Sequence, residues 1–318
     1  MLSNFTTSTC GVPQGSVLGP LLFLLYVNDL QNVSDKLKII TFADDTNLFL
    51  SGHDQDTLVE TINNELVKIK QWFDSNRLCL NIKKTCYQIY SNKKIQNLPM
   101  LKIHHENISR ERVVKFLGVL VDENLTFKEH IDHVCRKLSI GISYLYRGKN
   151  ILNSDQLKLI YNALLLPHIQ YCSLVWGFTF DTYTNKIVLL QKRAARIILN
   201  LGYRDSVTPL FHHIGIKTFS ELLKIKCMIL IYQIKHKSVP ASTTQLVQWK
   251  GSSTRQGLRN IELLEIPYCR TAFRQQTFRI FASRLCNSLN NISQIQFATS
   301  LQIYKKEITQ LCTTLDQS

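Results

Sequence analysis

Two adjacent carboxylates, Asp44 and Asp45, interrupt an otherwise β-type run over residues 39–50 (Ile39, Ile40, Thr41 and Phe42 before, Leu48, Phe49 and Leu50 after). Few local structures accommodate that break. Branched and aromatic residues on both sides favour strands, and the short polar interruption favours a tight turn between them. A hairpin with an acidic tip satisfies both. Because side chains alternate along a strand, Ile40, Phe42, Leu48 and Leu50 are expected to bury one face while the turn pushes Asp44 and Asp45 out together. Carboxylates this close repel each other, and one takes up a proton unless a cation lies between them. All-oxygen ligation suits a hard ion such as Mg²⁺. An acidic pair in a hairpin is more often only a turn, so the pair does not decide the matter alone.

The remaining bounds narrow the class. A chain of 318 residues with 45% hydrophobic content has enough apolar material for one large core or two modest ones. Lys and Arg outnumber Asp and Glu by 38 to 23, a formal charge of +15, which favours a polyanionic partner. An anionic membrane is disfavoured as that partner. The longest apolar stretch, residues 17–27, contains Gly19 and Pro20 and falls short of the ~20 residues a spanning helix needs. The first 30 residues carry no Lys or Arg, unlike the start of a secretory signal, so an intracellular location is expected. Nine scattered cysteines without a Cys-x-x-Cys pair read as reduced thiols serving as small hydrophobes. No zinc site is expected either, since His130 and Cys135 point to different faces of one helix and no fourth ligand lies near them and His133.

Along the chain, Gly11, Pro13, Gln14, Gly15 and Ser16 make a loop that leads into a buried helix, with Pro20 in its first turn. Leu58, Ile62, Leu66, Ile69 and Phe73 recur at helical spacing behind Asp54, with Trp72 on the apolar stripe. Residues 78–80 and 86–90 read as short strands around Asn81, Ile82, Lys83, Lys84 and Thr85. A further strand run over 113–121 contains Gly118, which suggests a bulge or a place where another backbone comes close. From there the pattern turns helical. A capping box at Thr126 and Glu129 opens a helix through Ile131, Val134, Leu138, Ile142 and Leu145. Ser154 starts a second helix, and Thr184 starts a third that carries Lys186, Lys192, Arg193 and Arg196. Such charges suit phosphate tracking, although a solvated helix face is the commoner meaning. Residues 237–257 read as a linker. The basic module after them interleaves arginines with Phe273, Phe278 and Phe281, best read as a helix with an aromatic inner face.

Four segments taken in order resemble the palm motifs of reverse transcriptases: residues 11–20, then Phe42, Ala43, Asp44 and Asp45, then residues 80–85, then Lys115, Phe116, Leu117 and Gly118. The wording between them, such as residues 72–78, is most similar to non-LTR retrotransposons of the jockey and CR1 kind, and the likeness extends to about residue 292. The resemblance implies an α+β fold: a partial polymerase palm of antiparallel sheet with helices over residues 1–125, a helical thumb over 126–236, and a small basic α-rich tail over 258–318.

It further implies an RNA-directed DNA polymerase in which Asp44 and Asp45 bind Mg²⁺, two ions being expected in the complete enzyme. Its partners would be an RNA template, a DNA primer or target and deoxynucleoside triphosphates, and it would work in the nucleus. Gly11, Pro13, Gln14, Gly15 and Ser16 would position template and nucleotide, Lys83 and Lys84 would lie near the triphosphate, and Lys115, Phe116, Leu117 and Gly118 would grip the primer. Lys192, Arg193 and Arg196 would meet the nucleic-acid backbone. In the family a further Asp precedes the Gly11 loop, whereas no acid occurs here before Asp29. The sequence is therefore expected to be the carboxyl-terminal part of such an enzyme, and a noncatalytic nucleic-acid-binding remnant is the alternative. The tail also departs from the family, with Cys286, Asn287, Ser288, Leu289 and Asn290 standing where Trp-Asn-x-Leu-Pro is usual.

Overall fold

The computed structural model describes residues 11–12, 15–92, 100–207, 210–211, 213–250, 263–271, 275–292, 297 and 300–315. Contacts divide the chain into two compact units, Met1–Val114 and Lys115–Ser318. Both helices and small sheets are present, an α+β content.

In the first unit, helix α1 (Leu18–Val27) precedes the strand pair β1 (Lys38–Phe42) and β2 (Asp45–Phe49). The strands are antiparallel, with Ile39 opposite Leu48 and Phe42 opposite Asp45. This register corrects the expected inner face. Partners across an antiparallel pair share a face, so Ile39 joins Leu48 and Leu50 against Leu30, Ile69 and Phe73. Ile40 and Phe42 lie on the opposite side with Asp45 and Phe49, at 39% and 61% exposure. Helix α1 departs from expectation as well. It forms, but Leu21, Leu22, Leu24 and Leu25 are exposed and only Gly19 and Val27 are buried. An apolar sequence makes a helix here without giving it a polar side, so burial cannot select one face.

Helix α2 (Gln55–Ser75) begins where Asp54 accepts the Thr57 N–H at 2.8 Å, and it buries Leu66, Ile69 and Phe73. Trp72 is half-buried, edge-on to Phe73 at 5.2 Å, and its Nε1 donates to Asp29. After it, the expected strand at 78–80 is not formed, and the one at 86–90 shrinks to β3 (Cys86–Tyr87). That strand pairs in parallel with β6 (Ser109–Arg110), while β4 (Lys102–Ile103) and β5 (Glu106–Asn107) form a separate antiparallel pair. Leu66 of α2 packs with Leu101, Ile103 and Ile108 beneath these ribbons.

The second unit is mainly helical. Strands β7 (Val113–Phe116) and β8 (Val119–Asp122) form a hairpin that leads into α3 (Lys128–Gly148). Helix α3 packs on α7 (Asp181–Ile198) and on α4 (Ser154–Leu164), which is followed by the short helices α5 (Leu166–Gln170) and α6 (Ser173–Trp176). Ile131, Leu138 and Leu145 of α3 are fully buried with Tyr161, Ile169, Trp176 and Ile187. Helix α8 (Phe219–Lys235) is shared between two cores: Phe219, Leu222 and Leu223 join this one, and the residues from Ile225 onward join a second. The second core also takes in Ala282, Leu285 and Leu289 of α10 (Phe278–Ile292) and Tyr304 and Ile308 of α11 (Leu301–Leu315). Among the described residues between them lies the short helix α9 (Ala241–Thr244), inside the expected linker.

Helix starts are set by side chains more than by propensity. Asn153 with Gln156 and Thr218 with Glu221 form capping boxes, so Asn153 caps the second helix, which opens at Ser154. The box expected at Thr126 is absent. Buried Asp122 instead accepts the N–H groups of Asn124, Thr126 and Phe127, and Phe127 precedes α3 in the left-handed conformation. Helix α7 likewise starts at Asp181, three residues before Thr184, which is buried within it.

Candidate functional site

The acidic tip is a two-residue turn of Ala43 and Asp44 between paired Phe42 and Asp45. Ala43 carries it with a φ of +50°, a conformation that costs a residue other than glycine of order 1 kcal/mol and that recurs at functional sites. Both carboxylates are exposed, and among the described residues neither has a hydrogen-bond or salt-bridge partner. Asp44 belongs to the turn, while Asp45 opens β2 on the side of Phe42 and Ile40. Their donor set is all oxygen, which fits a hard divalent ion that keeps part of its water shell. Among the described residues no group of three His, Cys, Asp or Glu is placed to hold a metal.

In the loop before α1, Gly11 and Gly15 have φ of +79° and +85°, and a Cβ added at either would meet nothing within 4 Å. Only glycine adopts such a backbone without strain, and the bare main chain stays open to a ligand. Ser16 Oγ accepts the Gly19 N–H at 3.1 Å and tethers the loop to the first turn of the helix. Pro13 and Gln14 lie outside the described residues. Lys83 and Lys84 are exposed on a 3-10 turn that Asn81 holds by accepting the Lys84 N–H at 3.2 Å.

The β7–β8 turn in the second unit consists of Leu117 and Gly118, with φ of +43° and +85°. Two positive values in a two-residue loop match the twist of the strands it joins, so Gly118 marks a tight turn, not a bulge. The close approach is made by a side chain. A Cβ on Gly118 would lie 3.2 Å from the Tyr171 ring, whose hydroxyl donates to the Leu117 carbonyl at 2.6 Å. Lys115 is exposed and Phe116 half-buried.

On α7, the cations differ in what they touch. Lys186 is held by Asp132 at 2.6 Å, and Arg196 Nε donates to the Asp205 carbonyl at 3.0 Å. Arg193 is exposed and Lys192 half-exposed, and neither has a partner among the described residues. His130 turns inward: its Nδ1 accepts the Leu120 N–H at 3.3 Å and its ring meets Trp176 edge-on. Burial, and then the charge of His133, pushes it down to about 4. Sequence reasoning missed Tyr171 and Asp122. Both act through backbone atoms, Tyr171 across 54 positions, and neither lies in a recognisable local pattern.

Comparison with known proteins finds one family model and several relatives. Residues 2–121 match the family model described as reverse transcriptase (RNA-dependent DNA polymerase), and the relatives that the chain is similar to are named as RNA-directed DNA polymerases of transposons and mobile elements. The probable RNA-directed DNA polymerase from transposon X-element of Drosophila melanogaster is 27% identical over 67% of this chain and 24% of its own length. The RNA-directed DNA polymerase from mobile element jockey of Drosophila funebris is 29% identical over 59% of this chain and 22% of its own. A probable RNA-directed DNA polymerase from transposon BS, also of Drosophila melanogaster, is 26% identical over 66% of this chain and 24% of its own. The chain thus spans about a quarter of the length of these relatives. No solved structure matches it.

Proposed function

We propose that this chain forms part of the RNA-directed DNA polymerase of a non-LTR retrotransposon, with Asp44 and Asp45 as metal-binding carboxylates. The hairpin tip carries the reading. Two neighbouring exposed carboxylates stand without a protein partner on strands anchored beneath by Ile39 and Leu48. That arrangement suits an opposite charge supplied by a ligand. Mg²⁺ ions, when bound, neutralise the charge that develops on the attacking and leaving oxygens in phosphoryl transfer. One turn anchors only one side of such a site, so a further carboxylate comes from outside the described residues.

In this reading residues 1–125 are part of a palm, 126–236 a thumb, 237–257 a linker and 258–318 a basic tail. The open glycine backbone at Gly11 and Gly15 lets template and nucleotide lie close, and Pro13, Gln14 and Ser16 complete that loop. Lys83 and Lys84 meet the triphosphate of a deoxynucleotide. Lys115 and Phe116 hold the primer end together with the Leu117 and Gly118 turn, which Tyr171 keeps in place. Lys192, Arg193 and Arg196 follow the nucleic-acid backbone. The reaction takes place in the nucleus, on an RNA template and a DNA target.

A chimera tests this. Residues 11–121 replace the matching segment of the X-element polymerase, and primer extension on RNA is measured with and without Asp44→Ala. Extension that depends on Asp44 supports the reading, and extension indifferent to Asp44→Ala refutes it. The absence of a third acid beside the pair among the described residues favours a second reading, a noncatalytic nucleic-acid-binding protein. A chimera that binds duplex without extending it would select that one.

A further inference from the structure

The β7–β8 hairpin is held at two points, and both lead back to one buried indole. The Tyr171 hydroxyl donates to the Leu117 carbonyl at 2.6 Å, and the Leu120 N–H donates to His130 Nδ1 at 3.3 Å. Trp176 stands behind each of them. Its Nε1 donates to the Tyr171 carbonyl at 2.9 Å, and its ring meets His130 edge-on at 5.3 Å. Trp176 is itself fully buried and stacks on Phe219 at the start of α8, with 5.5 Å between ring centres.

Tyr171 follows α5 directly, and its main chain is fixed on both sides. Its N–H donates to the Pro167 carbonyl at 2.9 Å, its carbonyl takes the indole N–H, and Lys226 of α8 donates to the adjacent Gln170 carbonyl. The side chain nevertheless stays 53% exposed. Packing does not account for its hydroxyl. A phenylalanine ring would cover Gly118 equally well, whereas the hydroxyl adds one directional bond to one carbonyl. That carbonyl belongs to Leu117, whose φ of +43° is a conformation that a residue other than glycine keeps only while its surroundings impose it. The bond therefore acts on the shape of the turn more than on the core. Tyr171 and Trp176 both lie outside residues 2–121, the span that matches the family model.

We propose that Tyr171 is a positioning residue for the recessed 3′ end of a nucleic-acid duplex, acting through the Leu117 and Gly118 main chain, with Trp176 as its anchor. The proposal rests on the polymerase reading, which assigns that turn to the primer, and deepens it by naming what sets the turn's position. With the hydroxyl bonded, the turn stands ready for a docking strand end. Without it Leu117 is free to leave the left-handed region, and the apparent affinity for a strand end falls with the fraction of chains that keep the turn. Contacts to the duplex backbone on α7 lie on another element and do not sense the change.

The test compares the full chain with Tyr171→Phe by competition anisotropy, using a duplex with a recessed 3′ end and a blunt duplex of the same sequence. The expected result is a preference for the recessed end that drops about threefold to tenfold in Tyr171→Phe, the weight of one neutral hydrogen bond. Affinity for the blunt duplex should change less than about twofold, and the thermal midpoint should stay with that of the unsubstituted chain. Trp176→Phe keeps a ring and removes the N–H, so it should weaken the same preference, and the double variant should lose less than the two single losses combined. Tyr203→Phe, on an exposed loop, should change neither affinity. If Trp176→Phe fails to fold, Tyr171→Phe decides alone. A preference that survives in Tyr171→Phe overturns this inference and leaves the polymerase reading standing. So does an equal loss on both duplexes with a lowered midpoint, which marks a merely structural role. An unsubstituted chain that does not distinguish the two duplexes overturns the assignment of the turn to the primer, and the inference with it.

Discussion

Removing the Asp122 carboxylate should destabilise the second unit by about 3 kcal/mol. This side chain is 6% exposed and accepts three backbone N–H groups: Asn124 at 3.1 Å, Thr126 at 3.0 Å and Phe127 at 2.6 Å. It thereby fixes a loop in which Leu125 and Phe127 both adopt positive φ, at +53° and +55°. Each left-handed residue costs of order 1 kcal/mol and persists only while its surroundings impose it. A hydrogen bond to a charged group is worth roughly 1.5–3 kcal/mol, but three on one carboxylate do not add in full and water replaces some of the loss, which brings the sum for Asp122→Ala to about 3. For a unit of this size that lowers the thermal midpoint by roughly 6–12 °C. Asp122→Asn should cost about half as much, because its oxygen still serves Asn124 and Thr126 while its amide faces the Phe127 N–H. Urea titration followed by circular dichroism reads both variants. A loss under ~1 kcal/mol for Asp122→Ala at unchanged m value would refute the argument.

Gly118→Ala should destabilise the β7–β8 hairpin by about 1–2 kcal/mol, since its φ of +85° disfavours a side chain and the new Cβ meets Tyr171 at 3.2 Å; a neutral result in the same titration would count against the tight turn. His130, pushed down to about 4 in the folded chain, makes its full contribution above the ordinary value of 6.5. Stability should fall between 6.5 and about 4 by on the order of 2 kcal/mol, because the unfolded chain takes up the proton first, and His130→Gln should flatten that part of the pH curve. Binding to duplex should weaken with salt at a log–log slope of roughly −4 to −5, and Arg193→Ala should reduce the slope by about one. A flat salt titration would exclude backbone binding.

What the sequence disclosed was local. Helix α2 was legible because Asp54 and the spacing of Leu66, Ile69 and Phe73 lie within a few turns of each other. The acidic turn was legible for the same reason, as two carboxylates between strand-forming residues. The buried side of that hairpin was not, since Ile39 and Ile40 are equally apolar and only the pairing of Ile39 with Leu48 decides between them. Thr126 and Glu129 fit a capping box by spacing, yet Asp122 competes for the same backbone N–H groups and wins with a buried charge. The exposure of α1 was illegible too, because hydrophobicity states a preference for burial without naming a partner.

Helix α8 belongs to two cores at once, and this makes the distal module a mechanical extension of the helical bundle. Its 17 residues make a rod of about 25 Å. One end is clamped by Phe219, Leu222 and Leu223, and the remainder by contacts to α10 and α11. Phe178 adds a second strut, with its ring 4.6 Å from that of Phe281. A hinge between bundle and tail would have to break the middle of a continuous helix, which proteins rarely do without proline or a glycine pair. Torque applied at one end therefore reaches the other, and a strand of nucleic acid pulling on the tail would turn the bundle with it.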